Sequence, residues 1–132
     1  MPEGLRLALL GLALAFIALA CAPPAPDAPA EVSARELLGR LDAGEAPVLL
    51  DVRSREEYAA GHVPGARNLP HDELAARAGE LAELRDEELV LYCESGRRAE
   101  FARQILAERG FRQLRHLDGD MSGWREAGLP TE

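Results

Sequence analysis

Apolar positions run almost without a break from Leu7 to Ala20, whereas from Val32 onward they recur at helix or strand intervals, so the chain divides before any motif is read. In the second region Ser33 with Glu36 makes an S-x-x-E capping pattern ahead of ARELLGRL, whose Leu37, Leu38 and Leu41 share a helical face. Gly44 and Pro47 close that helix. Val48 to Val52, VLLDV, is a short apolar run of the kind found in a buried parallel strand. Ser54 with Glu57 opens a short helix through Tyr58, and GHVPGARNLP then supplies Gly and Pro punctuation. Asp72 is placed to cap DELAARAGELAEL, with Leu74, Ala78, Leu81 and Leu84 as its stripe. Leu89 to Tyr92, LVLY, reads as a second buried strand that delivers Cys93 to its carboxyl end. A helix over Arg98 to Arg109 carries Phe101, Ile105 and Leu106 and stops at Gly110. FRQLRHL reads as another strand, and a last short helix around Met121 to Ala127 holds Trp124. Strands separated by helices predict an α/β fold, a mostly parallel sheet with right-handed crossovers and helices on both faces.

The first apolar run, LALLGLALAFIALA, has 14 residues. At ~1.5 Å per residue it reaches ~21 Å, short of the ~30 Å hydrocarbon core, so it suits the h-region of a signal peptide better than a membrane span. Residues 1–20 are therefore expected to be a signal peptide. Ala18-Leu19-Ala20 is a small-residue cleavage site and Cys21 follows it. The stretch IALAC resembles a bacterial lipoprotein lipobox, which implies cleavage before Cys21 and a diacylglycerol on its thiol. Plain secretion with a free Cys21 and a Cys21–Cys93 disulfide are the alternatives. Residues 21–31 then form a proline- and alanine-rich tether, whose ten residues APPAPDAPAE span up to about 30 Å in extended geometry. The globular domain is expected over 32–132. Together these features place the protein outside the cytoplasm, anchored to a membrane or, failing lipidation, secreted.

The net charge is −8, and removing residues 1–20 takes away one charge of each sign, Glu3 and Arg6. An acidic chain of this kind argues against nucleic acid and against a polybasic membrane-binding face. The three histidines, His62, His71 and His116, are scattered, and no metal site or cofactor is expected. One domain of this size is expected to act as a monomer.

The chemistry concentrates in YCESGRRAEF, Tyr92 to Phe101. Ligands in open α/β sheets sit outside the carboxyl ends of the strands, where Cys93 lies. A cysteine between a strand end and a helix start meets unpaired N–H groups and the positive end of the helix dipole, and both favour the thiolate. Arg97 and Arg98 act in the same direction, and Ser95 and Gly96 are small enough for the backbone to curl round the sulfur. Glu94 either faces the mouth of this loop, where it opposes an anionic donor, or turns to solvent and pairs with Arg97.

Three motifs in order, CESGRR, DVRSREEYAAGHVPGARNLP and GDMSGWREAGLP, resemble those of the rhodanese family over nearly the whole globular part. Asp120 stands where that family commonly has a second glycine. The resemblance implies a five-stranded parallel sheet flanked by helices and sulfurtransferase chemistry, with Cys93 taking sulfane sulfur from thiosulfate or a persulfide and passing it to a thiol or cyanide. It also implies an active-site loop of Glu94, Ser95, Gly96, Arg97 and Arg98. Asp51 and Arg53 match the family's Asp-Val-Arg turn, with a structural pairing expected, and Trp124 matches its tryptophan, with a packing role. No second cysteine is near Cys93 for a dithiol mechanism. Relatives of the same fold that act on tetrahedral oxyanions have an arginine one position later, where this chain has Ala99, so phosphatase chemistry is disfavoured. A tethered sulfur carrier or docking module without turnover is the remaining alternative.

Overall fold

The computed structural model of the protein describes residues 30–132. The signal segment, Cys21 and nearly all of the tether lie outside the described residues.

Five strands form one sheet in which every pairing is parallel. In chain order they are β1 (Glu31–Val32), β2 (Val48–Asp51), β3 (Arg67–Asn68), β4 (Glu88–Tyr92) and β5 (Gln113–Leu117). Their order across the sheet is β1-β5-β4-β2-β3. Alternate residues of a strand face opposite sides, and here both sides are apolar. Leu89, Leu91 and Cys93 look towards one core, while Val90 and Tyr92 look towards the other. Full burial of each large apolar side chain contributes roughly 1.5–3 kcal/mol. Four such residues, Leu89 to Tyr92, are buried consecutively, which makes β4 the most firmly placed strand and Cys93 the residue it positions.

The first core is closed by α3 (Leu74–Arg77), the 3₁₀ turns after it (Ala78–Leu84) and α4 (Arg97–Glu108), through Leu74, Ala78, Leu81, Leu84, Ala99, Ala102 and Leu106. The second is closed by α1 (Ala34–Asp42) and α5 (Asp120–Glu126), through Leu37, Met121 and Trp124. Tyr58 of α2 (Arg55–Ala60) packs against this second core. The α/β sandwich expected from the sequence is the one observed.

Local differences have physical reasons. The long helix expected after Asp72 is one α-helical turn followed by 3₁₀ helix, and its N-cap is Glu73, with no side-chain cap bond. Its buried residues run 74, 78, 81, 84, and the last two steps of three match the 3₁₀ repeat, in which i and i+3 align. At α1 only half of the capping pattern is made, with Ser33 accepting from the Glu36 N–H at 3.1 Å. Glu36 lies instead 3.7 Å from Arg115. At α2 both halves of the box are present.

Candidate active site

Cys93 follows β4 directly, and α4 begins four residues later at Arg97, so the intervening loop is wrapped over a helix N-terminus. Gly96 is the N-cap of α4 with φ 111°, in the left-handed region that suits glycine. A Cβ there would also lie 3.1 Å from Asp120 Oδ2. This turn aims the Gly96 N–H back at the cysteine, where it donates to Cys93 Sγ at 3.0 Å. Cys93 is only 1 % exposed.

The loop is tied on both sides. On one, Arg98 donates to both oxygens of Glu57 at 2.7 and 2.9 Å. Glu57 also accepts from the Ser54 N–H at 2.9 Å, so the capping carboxylate of α2 doubles as the anchor of the Cys93 loop. The Arg98 hydrogen bonds, foremost, hold the Glu57 carboxyl down at about 2. On the other side α5 grips the loop. Met121 and Ser122 donate their N–H groups to the Cys93 and Glu94 carbonyls at 3.0 and 3.2 Å. Asp120 Oδ1 accepts from the Cys93 N–H at 3.0 Å, and His116 Nε2 lies 2.9 Å from the same oxygen.

Below the mouth, Arg53 and Asp51 make a buried pair, with Nη2 to Oδ2 at 2.6 Å and Nε to both oxygens at 3.1 Å. Arg53 also donates to the Gly61 carbonyl at 2.8 Å, which ties the GHVPGARNLP loop to β2. Burial works against its charge but the Asp51 partner outweighs it, so the guanidinium stays protonated. Trp124 is buried and donates from its ring nitrogen to the Pro130 carbonyl at 2.7 Å. Tyr58 and His62 stack with ring centroids 3.7 Å apart.

An open pocket of about 560 Å³ lies beside the loop, lined in part by Arg53, Glu57, Glu94, Met121, Arg125 and Leu129. Glu94 therefore faces this pocket. Its partners are Arg53, at 3.5 Å, and Arg125, rather than Arg97. Ser95 and Arg97 are exposed. The structure thus gathers Cys93, Glu94, Gly96, Arg98, Asp51 and Arg53 around one loop, while Trp124 lies in the core beside it. Sequence reasoning missed Glu57, Asp120, His116 and Arg125 as site residues. For Glu57 the signal existed, but its capping role accounted for it. Asp120 was marked by its place in the third motif. Among the described residues, no group of three or more His, Cys, Asp and Glu side chains could hold a metal ion.

The family model described as rhodanese-like domain matches residues 33–127. Over 121 residues the chain is 43 % identical to an HTH-type transcriptional regulator of Mycobacterium tuberculosis, covering 90 % of this chain and 52 % of that protein. The chain thus spans about half the length of that relative. It is 39 % identical over 107 residues to the thiosulfate:glutathione sulfurtransferase of Homo sapiens, covering 72 % of this chain and 92 % of that enzyme. The crystal structure of the Alr3790 protein from Anabaena sp. superposes with a TM-score of 0.70 at 33 % identity, covering 76 % of this chain and 81 % of the other.

Proposed function

The chain belongs to the rhodanese-like domain family, and from that premise we propose that it is a sulfurtransferase carrying sulfane sulfur on Cys93. The observation that carries this reading is the Gly96 N–H donated to Cys93 Sγ at 3.0 Å. It is a donor already aimed at the atom on which negative charge must reside, at the start of a 12-residue helix.

The reaction divides into two displacements. The Cys93 thiolate attacks the outer sulfur of the donor, a Sγ–S bond forms, and the donor's S–S bond breaks with its electron pair leaving on sulfite or a thiolate. An acceptor thiolate or cyanide then attacks the outer sulfur of the Cys93 persulfide, and the Cys93 thiolate leaves. Atoms and electrons balance over the cycle without an outside oxidant. Arg98 fixes the loop by donating from both terminal nitrogens to Glu57, and its guanidinium also lies against the Cys93 side chain, where its positive charge faces the sulfur.

Intact mass before and after thiosulfate tests this proposal. The wild type is expected to gain the mass of one sulfur, and Cys93→Ser to gain nothing while unfolding at the same temperature. A gain retained in Cys93→Ser would overturn it.

We further propose that residues 1–20 direct export and that Cys21 carries lipid, on the strength of the IALAC junction and the proline-rich segment after it. Metabolic labelling with a fatty acid should mark the wild type and leave Cys21→Ala unmarked. An unlabelled wild type favours plain secretion.

A further inference from the structure

Asp120 occupies a backbone position with φ 53°, the one non-glycine residue with positive φ among those described. Asp is tolerated in the left-handed region better than most residues, at some cost. Asp120 is 3 % exposed, and its carboxylate lies against both ends of the loop from Cys93 to Gly96. One oxygen accepts from the Cys93 N–H at 3.0 Å, and the other lies 3.1 Å from where a Gly96 Cβ would be. A buried negative charge one hydrogen bond from the Cys93 backbone repels an anionic reaction centre at this end of the sheet. The charge has a counterion. His116, at the carboxyl end of β5, reaches the same Asp120 oxygen at 2.9 Å, with its side chain 25 % exposed.

We propose that Asp120 and His116 are positioning residues for Cys93: Asp120 fixes the start of the loop through the Cys93 N–H, and protonated His116 cancels the charge that this contact brings beneath the nucleophile. The inference rests on Cys93 as the reacting group. When His116 loses its proton it can still donate from Nε2 to Asp120, so the hydrogen bond persists while the compensating charge departs. Reactivity of Cys93 is thereby coupled to His116.

The other charged groups facing His116 are acidic: Glu31 on the neighbouring strand β1, Asp118 beyond β5 and Glu100 on α4. The hydrogen bond to Asp120, ahead of these longer-range charges, extends the imidazolium to higher pH than usual, and burial opposes it. The charged pair is therefore present in the acidic range and is lost as pH rises through the histidine's shifted titration.

The test is the rate at which iodoacetamide alkylates Cys93 in the full chain, followed by mass spectrometry of the peptide that carries it, which separates it from Cys21. Wild type, His116→Gln, Asp120→Asn and the double variant are compared from about pH 5 to about pH 9. Gln keeps a donor for Asp120 without the charge, and Asn keeps an acceptor for the Cys93 N–H and tolerates positive φ. His116→Gln is expected to slow alkylation by about 3- to 10-fold near neutral pH, by leaving the carboxylate uncompensated. In the Asp120→Asn background the same substitution should have no effect. If Asp120→Asn fails to fold, Asp120→Gly repeats the cycle, since glycine suits a φ of 53° best. An unchanged profile in His116→Gln, or equal slowing in both backgrounds, would overturn the coupling. Alkylation needs no sulfur donor, so these outcomes remain readable even if the protein transfers no sulfur.

Discussion

Strand β4 starts at Glu88 and runs out into Cys93, and it has charged networks at both ends that are built from the same residue types to different effect. At the first end two arginines share one carboxylate. Arg40 donates to both Glu88 oxygens at 2.9 and 2.8 Å, and Arg115 donates to one of them at 2.9 Å. Arg40 and Glu88 are each about a quarter exposed, and the cluster ties α1 to β4 and β5. At the second end the cations are spread over several carboxylates: Arg53 pairs with Asp51, Arg98 with Glu57 and His116 with Asp120, while Glu94 lies between Arg53 and Arg125. Between them lies the Cys93 loop, with the Gly96 N–H aimed at sulfur. The same Arg–carboxylate chemistry fastens secondary structure at one end and shapes the surroundings of the Cys93 thiol at the other. Position at the carboxyl ends of parallel strands makes the difference, because there backbone N–H groups of the following helix remain free to serve a ligand.

The largest effect on this contrast should come from Arg53→Met. It strands the fully buried Asp51 beside an apolar chain, and breaking a buried pair from one side costs about 3–5 kcal/mol. Urea unfolding should show a loss of that order. For Glu88→Gln, where the carboxylate is partly solvated, the loss should stay below about 1 kcal/mol. Similar losses in the two variants would erase the distinction between the ends.

Acid separates the networks next. Arg98, above all, holds the Glu57 carboxyl at about 2 against an ordinary 4.5, and Arg40, foremost, holds Glu88 down as well. A carboxyl depressed in the folded state contributes stability that is complete above its unfolded titration and is lost as pH falls through the folded one. For Glu57 that window runs from about 4.5 down to about 2. Acid unfolding should therefore be less steep in both Glu57→Gln and Glu88→Gln than in the wild type. At neutral pH only Glu57→Gln should slow sulfur loading, by about 3- to 10-fold, because it alone frees Arg98 and loosens the loop. Equal loading rates in the two variants would show that Arg98 does not depend on its anchor.

Glu94 should give the smallest effect and the finest distinction. It lines the pocket between Arg53 and Arg125, with its side chain 34 % exposed, so solvent screens much of its charge. Glu94→Gln should raise loading from dianionic thiosulfate about 2- to 3-fold over loading from a less charged persulfide, and added salt should shrink the gain. An equal change with both donors would remove charge selection from this position.

Much of this organisation could be read in the chain. The runs VLLDV and LVLY announced buried strands, because a strand covered on both faces needs apolar residues at consecutive positions. Ser54 and Glu57 announced a helix start through local hydrogen bonds, and the box forms as written. The loop from Cys93 to Arg98 was legible for the same reason, since its glycine turn and the helix behind it are neighbours in sequence. Strands β1 and β3 were not legible: two residues carry no period, and they become strands only by pairing with β5 and β2. Nor was the assignment of partners. Arg98 meets Glu57 across 41 residues and Cys93 meets Asp120 across 27, where nothing in local propensity links them. Sequence by itself determined the longer elements, their order and the placement of Cys93 between a strand end and a helix start, all of which rest on short-range periodicity and turn chemistry. Only the tertiary structure decided which carboxylate answers which cation around the sulfur, because those pairings follow from the order β5-β4-β2 in the sheet, which brings the ends of separate strands within hydrogen-bonding distance.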